Sequence, residues 1–240
     1  NSENPMDGFR ITFTKDGKAI ILMFDPCVDG ALGNLEDYNE FLKSCGIVGK
    51  ELDAVSLATS GELFISSSVT GIGEYAFAGC KNLTSVNIPN SVTKIEAYVF
   101  EGCKNLISVN IPNSVTKIEA NAFEGCENLT NVNIPNSVTS IGEYAFFKCK
   151  NFKNIVIPDS LTSIGKGVFA CCNDLTKIDI PESVTSIGDY AFTRCYKLEE
   201  INIPKTVTSI GKEAFRCDIS LEKIEIPDSV TSIGENAFDE

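Results

Sequence analysis

The sequence predicts an α/β solenoid: a right-handed array of 23-residue rungs, each a short strand followed by a short helix, with the strands stacked as a parallel concave sheet and the helices on the convex side. Three observations predict it. A phenylalanine returns at Phe77, Phe100, Phe123, Phe146, Phe169, Phe192, Phe215 and Phe238, always 23 residues apart. An Ile-Pro pair returns with the same step from Ile88 to Ile226. Between these marks, apolar residues fall on a pattern that changes from period two to helical spacing within each unit. Self-similarity at a fixed period of this size marks a stacked-repeat architecture, in which each unit buries its apolar face only against its neighbours.

Residues 1–60 do not carry the period. Phe9 to Phe13 alternates apolar and polar side chains, Lys15-Asp16-Gly17-Lys18 supplies a turn, and Ala19 to Phe24 reads as the returning strand of a hairpin. Asn34 and Asp37 mark a helix start, with Leu35, Tyr38, Phe41 and Leu42 as its apolar stripe and Gly46 near its end. Hairpin plus helix would cover the open cross-section of the array; a separate ligand-binding module is the alternative. Residues 61–240 are then the solenoid, about eight repeats with the last incomplete.

Within a rung, Leu83, Val86 and Ile88 point inward and Ser85 and Asn87 outward, which makes a short strand. Pro89 ends it, because proline has no N–H to donate to a ladder. In the second half, Ile141, Ala145, Phe146 and Cys149 follow helical spacing, and Ser140 with Glu143 fits a capping box, as do Ser232 and Glu235. The phenylalanines fill the space between helix and sheet. A hydroxyl column (Ser91, Ser114, Ser137, Ser160, Ser183, Thr206, Ser229) follows the prolines and can satisfy backbone groups in the bend.

Composition narrows the function. The chain has no histidine, which removes Ser–His–Asp and Cys–His nucleophile pairs and histidine-containing metal sites. No phosphate-binding glycine loop is present, and no catalytic residue or cofactor is expected. A net charge of −13 opposes binding to nucleic acid or to anionic lipid. No run of 18 apolar residues exists, so no spanning helix is expected.

Six of the ten cysteines, Cys80, Cys103, Cys126, Cys149, Cys172 and Cys195, occupy one column. A column spread along the axis cannot converge on a metal ion, so these thiols are expected to be free, buried core groups. Cys27 and Cys45, outside the array, are the pair most able to bridge.

The outward strand positions are the candidate binding face: Asn87, Asn110, Asn131, Asn133, Lys153, Val156, Asp179, Asn202 and Glu225. Asparagine is a poor strand former, so local structure does not ask for it there. A solvated surface copied by duplication is the alternative for this face. Tyr75, Tyr98, Tyr144 and Tyr190 form a partial aromatic column on the opposite side, and Asn82-Leu-Thr84 and Asn128-Leu-Thr130 fit the glycosylation sequon.

The recurring Ile-Pro-x-Ser-Val-Thr-x-Ile-Gly-x-x-Ala-Phe-x-x-Cys-x-x-Leu-x-x-Val-x resembles the leucine-rich repeat class of Bacteroides surface protein A and Treponema pallidum, from about Ile65 to Glu240. Local departures are Glu96 and Glu119 for Gly, Phe152 for Leu and Asp218 for Cys. The resemblance implies a non-catalytic, secreted or cell-surface adhesion protein that binds a host protein or glycan. An intracellular protein-interaction solenoid is the alternative, favoured by the number of thiols. The array stops at Phe238-Asp-Glu240 without a polar cap, which raises an expectation of either a longer parent chain or end-to-end self-association through the last rung.

Overall fold

A computed structural model describes residues 9–15, 18–24, 62–65, 67 and 70–239. Strands β1 (Phe9–Lys15) and β2 (Lys18–Phe24) pair antiparallel from Phe9↔Phe24 to Lys15↔Lys18, the hairpin that the alternation predicts. The helix expected near residues 34–46 and the Cys27–Cys45 pair lie outside the described residues.

From Glu62 onward the chain is a stack of parallel strands in 23-residue register. In order they are β3 (Glu62–Phe64), β4 (Ser85–Asn87), β5 (Lys94–Ile95), β6 (Ser108–Asn110), β7 (Lys117–Ile118), β8 (Asn131–Asn133), β9 (Ser140–Ile141), β10 (Asn154–Val156), β11 (Ser163–Ile164), β12 (Lys177–Asp179), β13 (Ser186–Ile187), β14 (Glu200–Asn202), β15 (Ser209–Ile210) and β16 (Ser232–Ile233). The three-residue strands form the ladders β3-β4-β6-β8 and β10-β12-β14. The two-residue strands form β5-β7-β9 and β11-β13-β15-β16, a second strip that the sequence pattern does not foretell. Each three-residue strand from β4 buries its middle residue and exposes its third, as in Val109 and Asn110 or Ile178 and Asp179. No strand forms over residues 222–226, so Glu225 does not join the face on which it was expected.

The helices expected on the other side are absent among the described residues. The segment from 142 to 149 is a run of tight turns instead. Two places in each rung take positive φ: one is filled by Tyr75, Tyr98, Asn121, Tyr144, Gly167, Tyr190, Glu213 and Asn236, the other by Gly79, Gly102, Gly125, Lys148, Cys171, Arg194 and Cys217. A left-handed residue every few positions breaks an α-helix. What replaces it is a ladder between rungs. The N–H of Tyr98, Phe100 and Gly102 donate to Ala120, Ala122 and Glu124 of the next rung, at 3.2, 2.9 and 2.7 Å. The N–H groups between them, such as those of Glu101 and Cys103, close local turns onto Tyr98 and Phe100. Backbone donors are thereby met alternately along the axis and within the turn, which removes the need for a helix.

The interior is a set of one-dimensional columns. Consecutive phenylalanine rings stack nearly parallel with centroids 5.3 to 5.8 Å apart from Phe77 to Phe238. Phe100, Phe123, Phe146 and Phe192 are fully buried. Each such side chain contributes roughly 1.5–3 kcal/mol through burial. At the last rung, Ile226, Ile233 and Phe238 are partly exposed.

The cysteine column has a second duty beside packing. Each thiol from Cys103 to Cys195 donates to the carbonyl of the phenylalanine 26 residues earlier, at 2.9 to 3.4 Å. Cys103, Cys126, Cys149, Cys172 and Cys195 are buried and free, while Cys80 in the first full rung is half-buried and free. Burial raises the thiol pKa of Cys126, Cys149, Cys172 and Cys195 well above its ordinary value. Most of the hydroxyl column works as its position predicts: Ser114, Ser137, Thr206 and Ser229 donate to Val92, Val115, Val184 and Val207 of the preceding rung at 2.7 to 2.8 Å, whereas the buried Ser183 hydroxyl has no partner among the described residues.

Candidate functional site

The strand register places the expected binding residues in two files. Asn87, Asn110 and Asn133 are direct neighbours on β4, β6 and β8. Asn110 Nδ2 donates to Asn87 Oδ1 at 2.8 Å, which links the first two amides of the file. That bond uses one donor of Asn110 and one acceptor of Asn87 and leaves their other amide groups facing solvent. Asn131 sits opposite Ser108 in the same register.

Val156, Asp179 and Asn202 form the second file, on β10, β12 and β14. Val156 is 75% exposed, an apolar side chain with no partner column above or below it. Around it the face becomes charged. Lys177 Nζ reaches Glu200 Oε1 at 3.1 Å and Asp179 Oδ1 at 3.8 Å, and Lys153 is exposed beside Asn154. The hydrogen bond to Glu200 and the nearby carboxylates raise the Lys177 pKa. These ion pairs are solvent-exposed and add little to stability. Glu225 pairs with Lys223 at 2.8 Å outside both files.

The strand face therefore has a neutral amide and hydroxyl half and a charged half. On the turn face, Tyr75 and Tyr98 stack with centroids 4.6 Å apart, while Tyr144 meets the edge of Phe147 at 5.6 Å. Lys166 lies over Tyr144 at 5.8 Å and Lys148 over Phe147 at 4.5 Å. Tyr98 and Tyr144 thus pack on a neighbouring ring, and Tyr144 also on a cation, while Tyr75 stays half exposed.

Three features escaped the sequence reading. Asn105, Asn128 and Asn151 make a second amide ladder, with Asn128 donating to Asn105 at 3.3 Å and Asn151 to Asn128 at 3.1 Å. Its signal was asparagine at the same 23-residue step. Thr116 and Thr139 donate through Oγ1 to Thr93 and Thr116 in the same manner. Asp218, noted only as a departure from cysteine, is buried; it accepts the Cys195 N–H through Oδ1 at 2.7 Å, and its Oδ2 has no partner. Burial pushes its carboxyl up to about 8, against the lowering effect of that one hydrogen bond. Among the described residues no cluster of three or more acidic or cysteine side chains is placed to hold a metal ion, and no helix is long and apolar enough to cross a membrane.

Parallel strands in fixed register, one inward column of apolar residues per strand and inter-rung ladders on both sides define a leucine-rich-repeat solenoid. The chain belongs to the BspA type leucine-rich repeat family, whose profile matches residues 58–139 and 116–240 in six copies. Among solved structures it is similar to a leucine-rich repeat protein from Bacteroides ovatus, with 31% identity over 69% of this chain and 49% of that one and a TM-score of 0.56. It is also similar to the Treponema pallidum leucine-rich repeat protein, with 30% identity over 68% of this chain and 78% of that one and a TM-score of 0.64. A Eubacterium ventriosum leucine-rich repeat protein, 24% identical over 75% of this chain and 58% of that one with a TM-score of 0.59, shares the fold. This chain spans about half the length of the B. ovatus protein. No curated protein sequence matches it.

Proposed function

We propose that this chain is a non-catalytic recognition scaffold that binds a protein or glycan through the outward face of its strands, at a cell surface or after secretion. The observation that supports it most is the in-register amide file Asn87, Asn110 and Asn133. Core packing and the turn-side ladder hold the rungs without those side chains, and their residue type runs against strand propensity. A broad, polar, aromatic-poor surface suits an extended macromolecular partner rather than a small apolar ligand. Membership of the BspA type family supports the surface location without fixing it.

Unbridged cysteines support a second reading, a protein-interaction solenoid inside a reducing cell: eight described cysteines are free, and free thiols persist where glutathione or thioredoxin keeps them reduced. Binding of the purified chain to immobilised extracellular-matrix proteins and to a glycan array, beside a panel of cytosolic proteins, separates the two. Saturable binding on either extracellular set supports the first reading. Binding confined to the cytosolic set supports the second.

A further inference from the structure

Both strand strips break at one place. The ladder β3-β4-β6-β8 stops at β8 and resumes at β10, and β5-β7-β9 stops at β9 and resumes at β11. The hydrogen bonds around the strands stop with them. Thr139 N donates to Thr116 at 2.9 Å and Thr185 N to Thr162 at 2.9 Å; Gly142 and Gly188 donate to Ile118 and Ile164 at 2.8 Å. Among the described residues, the equivalent bonds from Thr162 to Thr139 and from Gly165 to Ile141 are not formed.

The spacing of the backbones shows the same opening. A Cβ placed on Gly142, Gly188, Gly211 or Gly234 would come within 2.4, 2.9, 2.4 and 2.3 Å of the preceding rung's backbone, whereas on Gly165 the nearest atom is 3.5 Å away. Ile141 is only partly buried, while Ile118, Ile164 and Ile187 in its column are buried.

The turn side is closed at this same junction. Tyr144, Phe146 and Lys148 donate to Lys166, Val168 and Ala170 at 2.9, 3.0 and 2.9 Å. Asn151 N reaches Glu127 at 3.0 Å, and the Ser160 hydroxyl still donates to Val138. The residue that sets this junction apart is Phe152. It stands in the column of Leu83, Leu106, Leu129, Leu175 and Leu198, is fully buried, and packs its ring 5.7 Å from Phe146 at 28°. A phenylalanine where every described neighbour has leucine overfills the layer, and a close-packed interior answers by shifting backbone.

We infer that the array is jointed between β8/β9 and β10/β11: Phe152 wedges the strand sides apart, and the two stacks pivot on the turn-side ladder of residues 144–148 and 166–170. The joint falls where the strand face changes from its amide half to its charged half, beside exposed Val156. A partner spanning both halves would therefore meet two surfaces whose relative tilt adjusts. Small angular changes at a packed joint are how shear and hinge motions arise without unfolding either side.

Native-state amide hydrogen exchange on the full chain tests this. The amides of Thr162 and Gly165, which face the opened junction, are expected to exchange roughly tenfold or more faster than those of Thr185 and Gly188, while Phe146 and Lys148 stay as protected as Phe192 and Arg194. In Phe152→Leu the fast amides are expected to slow to the rates of their counterparts. Equal exchange on the two sides in the wild-type chain overturns the joint. Fast exchange that persists unchanged in Phe152→Leu overturns the wedge.

Discussion

The strand face and the turn face obey the same 23-residue period, and each is laced along the axis by inter-rung hydrogen bonds, yet they ask opposite things of the sequence. On the strand side the backbone is extended, so any side chain fits outward: asparagine, valine, aspartate and lysine all occupy that surface. On the turn side two places per rung need positive φ, and the occupants range from glycine to tyrosine, arginine and glutamate. Non-glycine residues there carry a conformational cost of roughly 1–2 kcal/mol each. The turn face is thus where the fold constrains the backbone, and the strand face is where outward side chains are free to vary.

The largest effect expected from this contrast is in the shared core. Phe123→Ala removes a fully buried ring stacked at 5.4 and 5.3 Å on both sides, and should cost about 3–5 kcal/mol in urea unfolding. Asn110→Ala on the strand face should stay within about 1 kcal/mol.

Asp218 gives a pH dependence next in size. Its folded carboxyl titrates at about 8, above its ordinary acid range, so between those limits the folded chain holds a proton that the unfolded chain has lost. The contribution is complete at acidic pH and declines as pH rises through about 8, by on the order of a few kcal/mol. Urea midpoints at about pH 5 and pH 9 should therefore differ more for the wild-type chain than for Asp218→Asn, the alkaline midpoint being the lower.

Close approach of the rungs gives a third. Gly211→Ala drives a Cβ to 2.4 Å of Asp189 N and should destabilise by about 1–3 kcal/mol, whereas Gly165→Ala meets nothing nearer than 3.5 Å and should be neutral. Loss of stability in both would remove the distinction between the opened and closed junctions.

The smallest effect has opposite signs on the two faces. Arg194→Gly, at φ 61°, relieves left-handed strain and should be neutral or stabilising by up to about 1 kcal/mol. Lys177→Gly, mid-ladder on β12, should destabilise by about 0.5–1 kcal/mol.

The same contrast explains what was legible in the sequence. Strands, register and inward columns followed from period-two spacing at Val86 and Ile88, because extended backbone maps sequence onto faces directly. The turn side was misread as helix because Ile141, Ala145, Phe146 and Cys149 satisfy helical spacing, while a wound pair of turns brings the same residues inward. Gly79, Gly102 and Gly125, each left-handed, were the available signal; the tyrosines at φ 57–58° gave none, since propensity argues against them there. Of the candidate site, the grouping of Asn87, Asn110 and Asn133 was legible from register alone. The break beside Val156 was not, because it depends on how one leucine-column position, Phe152, is packed. Glu225 was placed on the face by period, but the ladder does not extend to its rung.

The division of labour between the faces is tested most directly by binding and thermal unfolding measured together, on the partner found by the extracellular panel. Asn110→Arg with Asn133→Arg should abolish binding and leave the midpoint within about 2 °C, since the inter-rung bond lost, from Asn110 to Asn87, is solvent-exposed. Tyr98→Ala with Tyr144→Ala, which removes the 4.6 Å stack on Tyr75 and the Phe147 contact, should lower the midpoint and leave binding intact in the folded protein. Binding that survives the strand-face pair and is lost with the turn-face pair would contradict the account.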